Sequence, residues 1–274
     1  MGRISLLIVL CLLLFACADL GSTKIDDVAQ TAGLTRAQVS TDIFLLTTFS
    51  KIQNPAQPID VYIEGDGLAW ITETMPSSNP TPRKALGLRL AAQDSAPNIL
   101  YVARPCQYTP LEEDKNCTEA YWTDRRFSEE VIRSVNQAID RSIRPYPHPR
   151  LNIIGYSGGG AVAILVAARR DDVATLRTVA GNLDHDEVNR LNGVSPLHGS
   201  LNAIAQARKV ENIPQLHFSG SDDDVVPPII AAHFIAAMDS ARCARAEIVE
   251  NATHEDGWEE KWRDLLRAPA SCAP

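Results

Sequence analysis

A serine, a run of three aspartates and a histidine follow one another in this chain in an order that suits nucleophilic attack on a carbonyl. Ser157 stands at the apex of Gly155-Tyr156-Ser157-Gly158-Gly159-Gly160. The apolar run Leu151 to Ile154 precedes it, and Ala161 to Ala168, rich in alanine and aliphatic residues, follows. The pattern predicts a strand, a tight turn and a helix. A strand that turns at once into a helix leaves no room for Cβ atoms, which accounts for the glycines. The helix start then aims free N–H groups at charge developing beside the serine hydroxyl. A phosphate cradle is the competing reading of a glycine turn. It lacks the lysine of G-x-x-x-x-G-K-[ST] and the second half of G-x-G-x-x-G.

A hydroxyl becomes a useful nucleophile when a base takes its proton, and the base works best when a carboxylate fixes its tautomer. Downstream, Asp222, Asp223 and Asp224 lie in HFSGSDDDVVPP, and His254 lies in NATHEDGW. The other histidines suit the role less well. His148 precedes the serine strand, and His185 and His198 fall before the acids. His217 lies within a strand, and His233 reads as a core residue of an apolar helix. His254 alone follows the acids by one helix and one strand and sits in a loop.

The elements that must position these groups alternate along the chain. Strands are expected from near Asp42, with a short helix before them around Ile25 to Ala32; DDVAQTAGLTRAQV there reads as a surface helix pair rather than a DNA-binding motif. Ile59 to Ile63 and Asn98 to Pro105 are strands, and Leu86 to Gln93 is a helix. Arg125 to Ile143 carries apolar residues at helical spacing. After the serine, Leu176 to Asn182 and Ala244 to His254 read as a strand and as a strand with its loop. Glu259 to Ala268 closes the chain as a helix. Strands alternating with helices predict one α/β domain with a doubly wound, mostly parallel sheet and helices on both faces.

Taken together, the serine turn, Gly220-Ser221-Asp222-Asp223-Asp224-Val225-Val226-Pro227 and His254 resemble the α/β-hydrolase superfamily, over roughly Asp42 to Leu266. The resemblance implies Ser157 as nucleophile, His254 as base and Asp223 as the orienting acid, with Asp222 the alternative. It also implies an oxyanion hole from the N–H of Gly158 and, after the early strand, that of Asp66 or Gly67. Glu64 stands where this superfamily commonly has histidine, and a carboxylate there is unhelpful unless it points away or is paired. Arg104 is a candidate partner for Glu64 or Asp66. The implied reaction is hydrolysis of a small-molecule carboxylic ester without metal or cofactor. Acyl transfer, amide cleavage and a non-catalytic binding role are the alternatives. Leu183 to Asn212, polar through Asp184, Asp186, Glu187 and Arg190, reads as a small cap and suggests a small or polar substrate. Trp70 and Tyr108 are candidates for the pocket wall.

A net charge of −8 without any basic run argues against nucleic acid or anionic lipid as an electrostatic partner. The beginning of the chain reads as an export signal over residues 1–16, with one charge at Arg3 and an apolar core from Ile4 to Phe15. Leu14-Phe15-Ala16-Cys17 resembles the bacterial lipobox. That implies a lipid on Cys17, a membrane anchor on the periplasmic side of the outer membrane, a tether over 17–40 and the folded domain over 41–274. Simple cleavage to a soluble periplasmic protein is the alternative. Cys106, Cys117, Cys243 and Cys272 remain, an even number in an oxidising compartment. Local closure suggests Cys106–Cys117 and Cys243–Cys272, one of three connectivities. No C-x-x-C spacing suggests zinc.

Overall fold

A computed structural model describes residues 20–147 and 149–273. The leader, Cys17 and His148 lie outside the described residues. In chain order, α1 (Leu20–Thr31) is followed by β1 (Thr35–Ser40), β2 (Leu45–Ile52) and β3 (Ile59–Ile63). A small hairpin, β4 (Trp70–Thr72) and β5 (Met75–Pro76), leads to α2 (Leu86–Gln93) and β6 (Asn98–Val102). Then come α3 (Glu129–Ile143), β7 (Leu151–Tyr156), α4 (Gly158–Ala167) and β8 (Val173–Val179). The chain ends through α5 (His185–Leu191), α6 (Ala207–Val210), β9 (Gln215–Gly220), α7 (Ile229–Ala236), β10 (Ala244–Val249) and α8 (Trp262–Arg267).

Eight strands form one sheet in the order β1-β2-β6-β3-β7-β8-β9-β10. The β1–β2 and β2–β6 pairings are antiparallel and the rest parallel. One face packs on α3, α4 and α7, the other on α1, α2 and α8. The sequence of α3 explains its orientation: Val131, Ile132, Val135, Ala138, Ile139 and Ile143 form one stripe, and all are buried. Helix α4 is apolar on every side and is buried along its whole length, as expected of a helix enclosed by other elements. Full burial of each aliphatic side chain stabilises by about 1.5–3 kcal/mol. Cys106 is bonded to Cys117, and Cys243 to Cys272.

The sheet begins earlier than the sequence suggested. Thr35 to Ser40 pair with Ser50 to Leu45, and Ile25 and Ala29 of α1 are buried in the core. The part of the expected tether from Ile25 onward therefore packs on the domain. Helix α3 starts at Glu129, not Arg125, because Ser128 precedes two acidic residues that suit the positive helix end. That shift leaves Arg125 and Arg126 on a turn. His233 is exposed, since α7 buries only Ile230, Ala231 and Phe234.

A polar cluster lies near the amino ends of the central strands, away from the glycine turn. Asn152 donates to Asp60 at 2.6 Å and Tyr62 donates to Asp94 at 2.6 Å. Burial, reinforced by the charge of Asp94, pushes the Asp60 carboxyl up to about 7. Between about pH 4 and 7 the folded chain thus holds a proton that the unfolded chain has released, so stability falls as pH rises through that window. Asp60→Asn mimics the protonated acid and keeps an acceptor for Asn152. The variant is expected to show a smaller fall in melting temperature between pH 5 and pH 8 than the wild type. The difference should be on the order of 1–3 kcal/mol, and thermal unfolding at the two pH values measures it. An unchanged fall would remove Asp60 as its cause.

Candidate active site

Strand β7 delivers Ser157 to a turn in which it adopts φ 51° and ψ −122°, a strained conformation costing on the order of 1–3 kcal/mol. Three backbone hydrogen bonds hold it there. The Ser157 N–H donates to Val179 O at 2.9 Å, and Ser157 O accepts from Gly160 at 2.9 Å and from Asn182 at 3.0 Å. The flanking glycines are sterically required. A Cβ on Gly155 would fall 2.2 Å from Gly159 O, and one on Gly159 would fall 2.3 Å from Ile63 O.

His254 reaches this serine from the loop after β10. Its Nε2 lies 2.9 Å from Ser157 Oγ, and its Nδ1 lies 3.0 and 3.2 Å from the two carboxylate oxygens of Asp223. The Asp223 side chain is fully buried. Its Oδ1 also accepts from the N–H of Val225 at 3.0 Å and of Val226 at 2.8 Å, which fixes the carboxylate. With a buried carboxylate on Nδ1, the hydrogen-bond pattern assigns the proton to Nδ1 and leaves Nε2 as the acceptor. Asp222 and Asp224 are exposed, and Asp222 accepts from Ser221 instead. The histidine loop is anchored as well: Tyr156 donates its hydroxyl to His254 O at 3.2 Å, and the buried Trp258 donates to Thr253 O at 2.9 Å.

The loop after β3 passes directly over the serine turn. The position of a Cβ on Gly65 lies 3.3 Å from the Ser157 Cβ. Among the described residues, neither the Asp66 N–H nor the Gly158 N–H donates to a protein acceptor. Glu64 borders the same cavity as Ser157, but its carboxylate is fully engaged. Its buried carboxylate accepts from the N–H groups of Gly65 (2.9 Å), Gly87 (3.1 Å) and Leu88 (3.2 Å), and from the Tyr101 hydroxyl (2.9 Å). It thereby serves as the cap of α2, whose own N-cap residue, Ala85, has no side chain for the task. Burial raises the Glu64 carboxyl, and the four donors oppose that rise.

Asp66 turns its carboxylate against the serine turn; a Cβ on Gly158 would lie 2.0 Å from Asp66 Oδ1. Two arginines answer it. Arg104 Nη1 donates to Asp66 Oδ1 at 3.0 Å, and Arg126 Nε lies 3.3 Å from Oδ2. Arg104 is therefore a partner of Asp66 and not of Glu64 or solvent. Arg126 had no signal in the sequence, because a basic pair before a helix ordinarily reads as its solvated edge.

Ser157, His254, Glu64, Asp66 and Arg126 border a cavity of about 650 Å³. Its wall includes Leu68, Leu86, Val188, Val194, Val225 and Val226, with Asn182, Asn189, Asn192, Arg83, Lys84 and Arg126. The expected cap does border the cavity through α5 and the residues after it, but with Val188 and Val194. Its charged residues are occupied elsewhere: Glu187 pairs with Arg190, and Asp184 accepts from Asn202. The wall is thus more apolar than the sequence of that segment suggested. Trp70 and Tyr108 do not line the cavity; Trp70 is exposed on β4 and Tyr108 is buried elsewhere.

The sheet order, the serine turn after β7 and helices on both faces decide the architecture. The fold is that of the α/β-hydrolases. No protein-family model matches the sequence, and a search of curated proteins finds no match. Solved structures do match in shape. A membrane phospholipase A described as a bacterial virulence factor superposes with a TM-score of 0.59 at 16% identity, covering 97% of each chain. A proline iminopeptidase of Mycobacterium smegmatis gives 0.61 at 13% identity, over 85% of this chain and 96% of that one. An esterase of Pyrococcus furiosus gives 0.55 at 12% identity, over 85% of this chain and 90% of that one.

Proposed function

We propose that the protein is a serine hydrolase that cleaves a carboxylic ester. The supporting observation is the continuous hydrogen-bonded chain from Ser157 Oγ through His254 to the buried Asp223, opening onto a cavity beside two free N–H groups. In this reading His254 Nε2 takes the Ser157 proton as Oγ attacks the carbonyl carbon. The Gly158 and Asp66 N–H groups hold the oxyanion, each contributing about 2.7–4 kcal/mol. His254 returns the proton to the departing alcohol, and water, activated by the same nitrogen, releases the acid. Asp223 holds the ring and stabilises its cationic form. The sequence at Leu14 to Cys17, together with two disulfides, supports export and a lipid anchor on Cys17 as part of the same proposal.

A fluorophosphonate probe tests both parts in fractionated cells. The wild-type protein is expected to label in the membrane fraction, with the adduct mapped to Ser157, and Ser157→Ala to stay unlabelled. Cys17→Ser should move the labelled band out of the membrane fraction. Folded wild-type protein that takes no label would sink the hydrolase reading, and membrane retention of Cys17→Ser would sink the anchor.

A further inference from the structure

Arg126 is placed to bind as well as to neutralise. Its side chain is only 13% exposed, yet it borders the cavity that holds Ser157 and His254. Among the described residues its Nε lies 3.3 Å from Asp66 Oδ2 as an ion pair without a hydrogen bond, and its terminal nitrogens are left for another acceptor. Arg104 already neutralises Asp66 from behind, with its side chain 4% exposed and its second terminal nitrogen donating to Arg126 O. Each guanidinium also packs on the Phe127 ring, at 5.3 and 5.5 Å from its centroid. One carboxylate therefore faces two guanidiniums, and the surplus charge sits on the arginine that reaches the cavity.

The surroundings do not cancel that charge. Two further carboxylates border the cavity, but both have other partners: Glu64 is held by its four donors, and Glu255 lies 3.5 Å from Lys84 Nζ. His185 stacks on Phe127 at 5.9 Å, and burial pushes its imidazole below the usual histidine range, opposed by Asp186. Asp184, which caps α5, and Asp186 on its first turn accept from Asn202, Asp186 also lies 3.2 Å from His185 Nδ1, and among the described residues only Asp66 pairs with Arg126. A planar guanidinium with two unengaged terminal donors, partly withdrawn from water, matches the two oxygens of a carboxylate or phosphate.

We propose that Arg126 receives an anionic group of the substrate, so that the ester cleaved at Ser157 carries a carboxylate or a phosphate. This rests on the hydrolase reading above and narrows its substrate class. Apolar residues on the rest of the wall, Leu68, Val188, Val194 and Val225 among them, take the hydrocarbon that joins anion and ester.

The test compares kcat/KM for matched esters, each corrected for its spontaneous rate. Mono(4-nitrophenyl) glutarate is set against its methyl ester, which places the charge on the acyl side. 4-Acetoxybenzoate is set against its methyl ester, and 4-acetoxyphenyl phosphate against its dimethyl ester, which place a carboxylate or a phosphate on the alcohol side. In at least one pair the wild type is expected to prefer the anion by about 10- to 100-fold, chiefly through KM. Arg126→Gln should bring that ratio close to one, and Arg126→Lys should restore part of it. Because each ratio is taken on a single protein, a general loss of catalysis or folding cancels. If Arg126 only shields the oxyanion from Asp66, Arg126→Gln will lower both members of a pair equally, and the proposal fails. It fails equally if the wild type cleaves every neutral ester as well as its anionic partner while still labelling at Ser157. A protein that neither labels nor cleaves any ester overturns the hydrolase reading, and this inference with it.

Discussion

Ser157→Ala and His254→Ala are each expected to lower kcat for an accepted ester by about 10⁶-fold, and the double variant is expected to be no worse than either. The reason lies in the geometry. A single hydrogen bond of 2.9 Å joins Oγ to Nε2, so neither group can act without the other. Asp223→Asn should fall less far, by about 10⁴-fold. Asparagine preserves an acceptor for the N–H groups of Val225 and Val226 but can present its amide to Nδ1. That favours the tautomer with the proton on Nε2, where it cannot accept from Ser157. Asp222→Asn should leave kcat within about threefold, because an exposed side chain of this kind changes little. Steady-state rates for the five variants and the wild type decide the matter. Additive losses in the double variant, or a large loss in Asp222→Asn, would contradict the proposed roles.

The parts legible in the sequence were those in which local pattern and tertiary role agree. The glycine turn at Ser157 announces a strand-to-helix reversal because backbone atoms within 2.3 Å of a notional Cβ leave no alternative residue. Strands such as Ile59 to Ile63 are apolar but for Asp60 because both faces of the sheet are covered. Strand β1 escaped notice for the opposite reason. TRAQVS lies at the sheet edge, mostly exposed, so its composition is that of a loop. The choice among Asp222, Asp223 and Asp224 needed the fold, since only the rotation of the turn buries one carboxylate against Val225 and Val226. The same is true of Arg126. Its partner Asp66 lies 60 residues away in a different loop, and no local spacing encodes their meeting.

Glu64 illustrates how a residue that looks unsuited to the proposed oxyanion loop can support it, and Glu64→Ala is expected to destabilise the protein by about 3–5 kcal/mol. The substitution strips a buried acceptor from the N–H groups of Gly65, Gly87 and Leu88 and from the Tyr101 hydroxyl at once. Glu64→Gln retains one acceptor oxygen but turns an amide N–H₂ toward donors, so a loss of about 1–3 kcal/mol is expected. Because burial raises the Glu64 carboxyl, the native side chain contributes less as pH rises through its folded value, and the loss in Glu64→Gln should be smaller at pH 8 than at pH 5. Denaturant unfolding at both pH values reads this directly. Catalysis supplies the second readout. The Glu64 carboxylate binds the Gly65 N–H, one residue before the Asp66 N–H that is proposed to meet the oxyanion. Loosening that bond should lower kcat by about 10²-fold, the effect of a displaced oxyanion donor, with little change in KM. Folded Glu64→Gln with an unaltered kcat would show that the loop holds its shape without the carboxylate. A parallel loss of stability and kcat would tie the cap of α2 to the chemistry at Ser157 as a positioning contact.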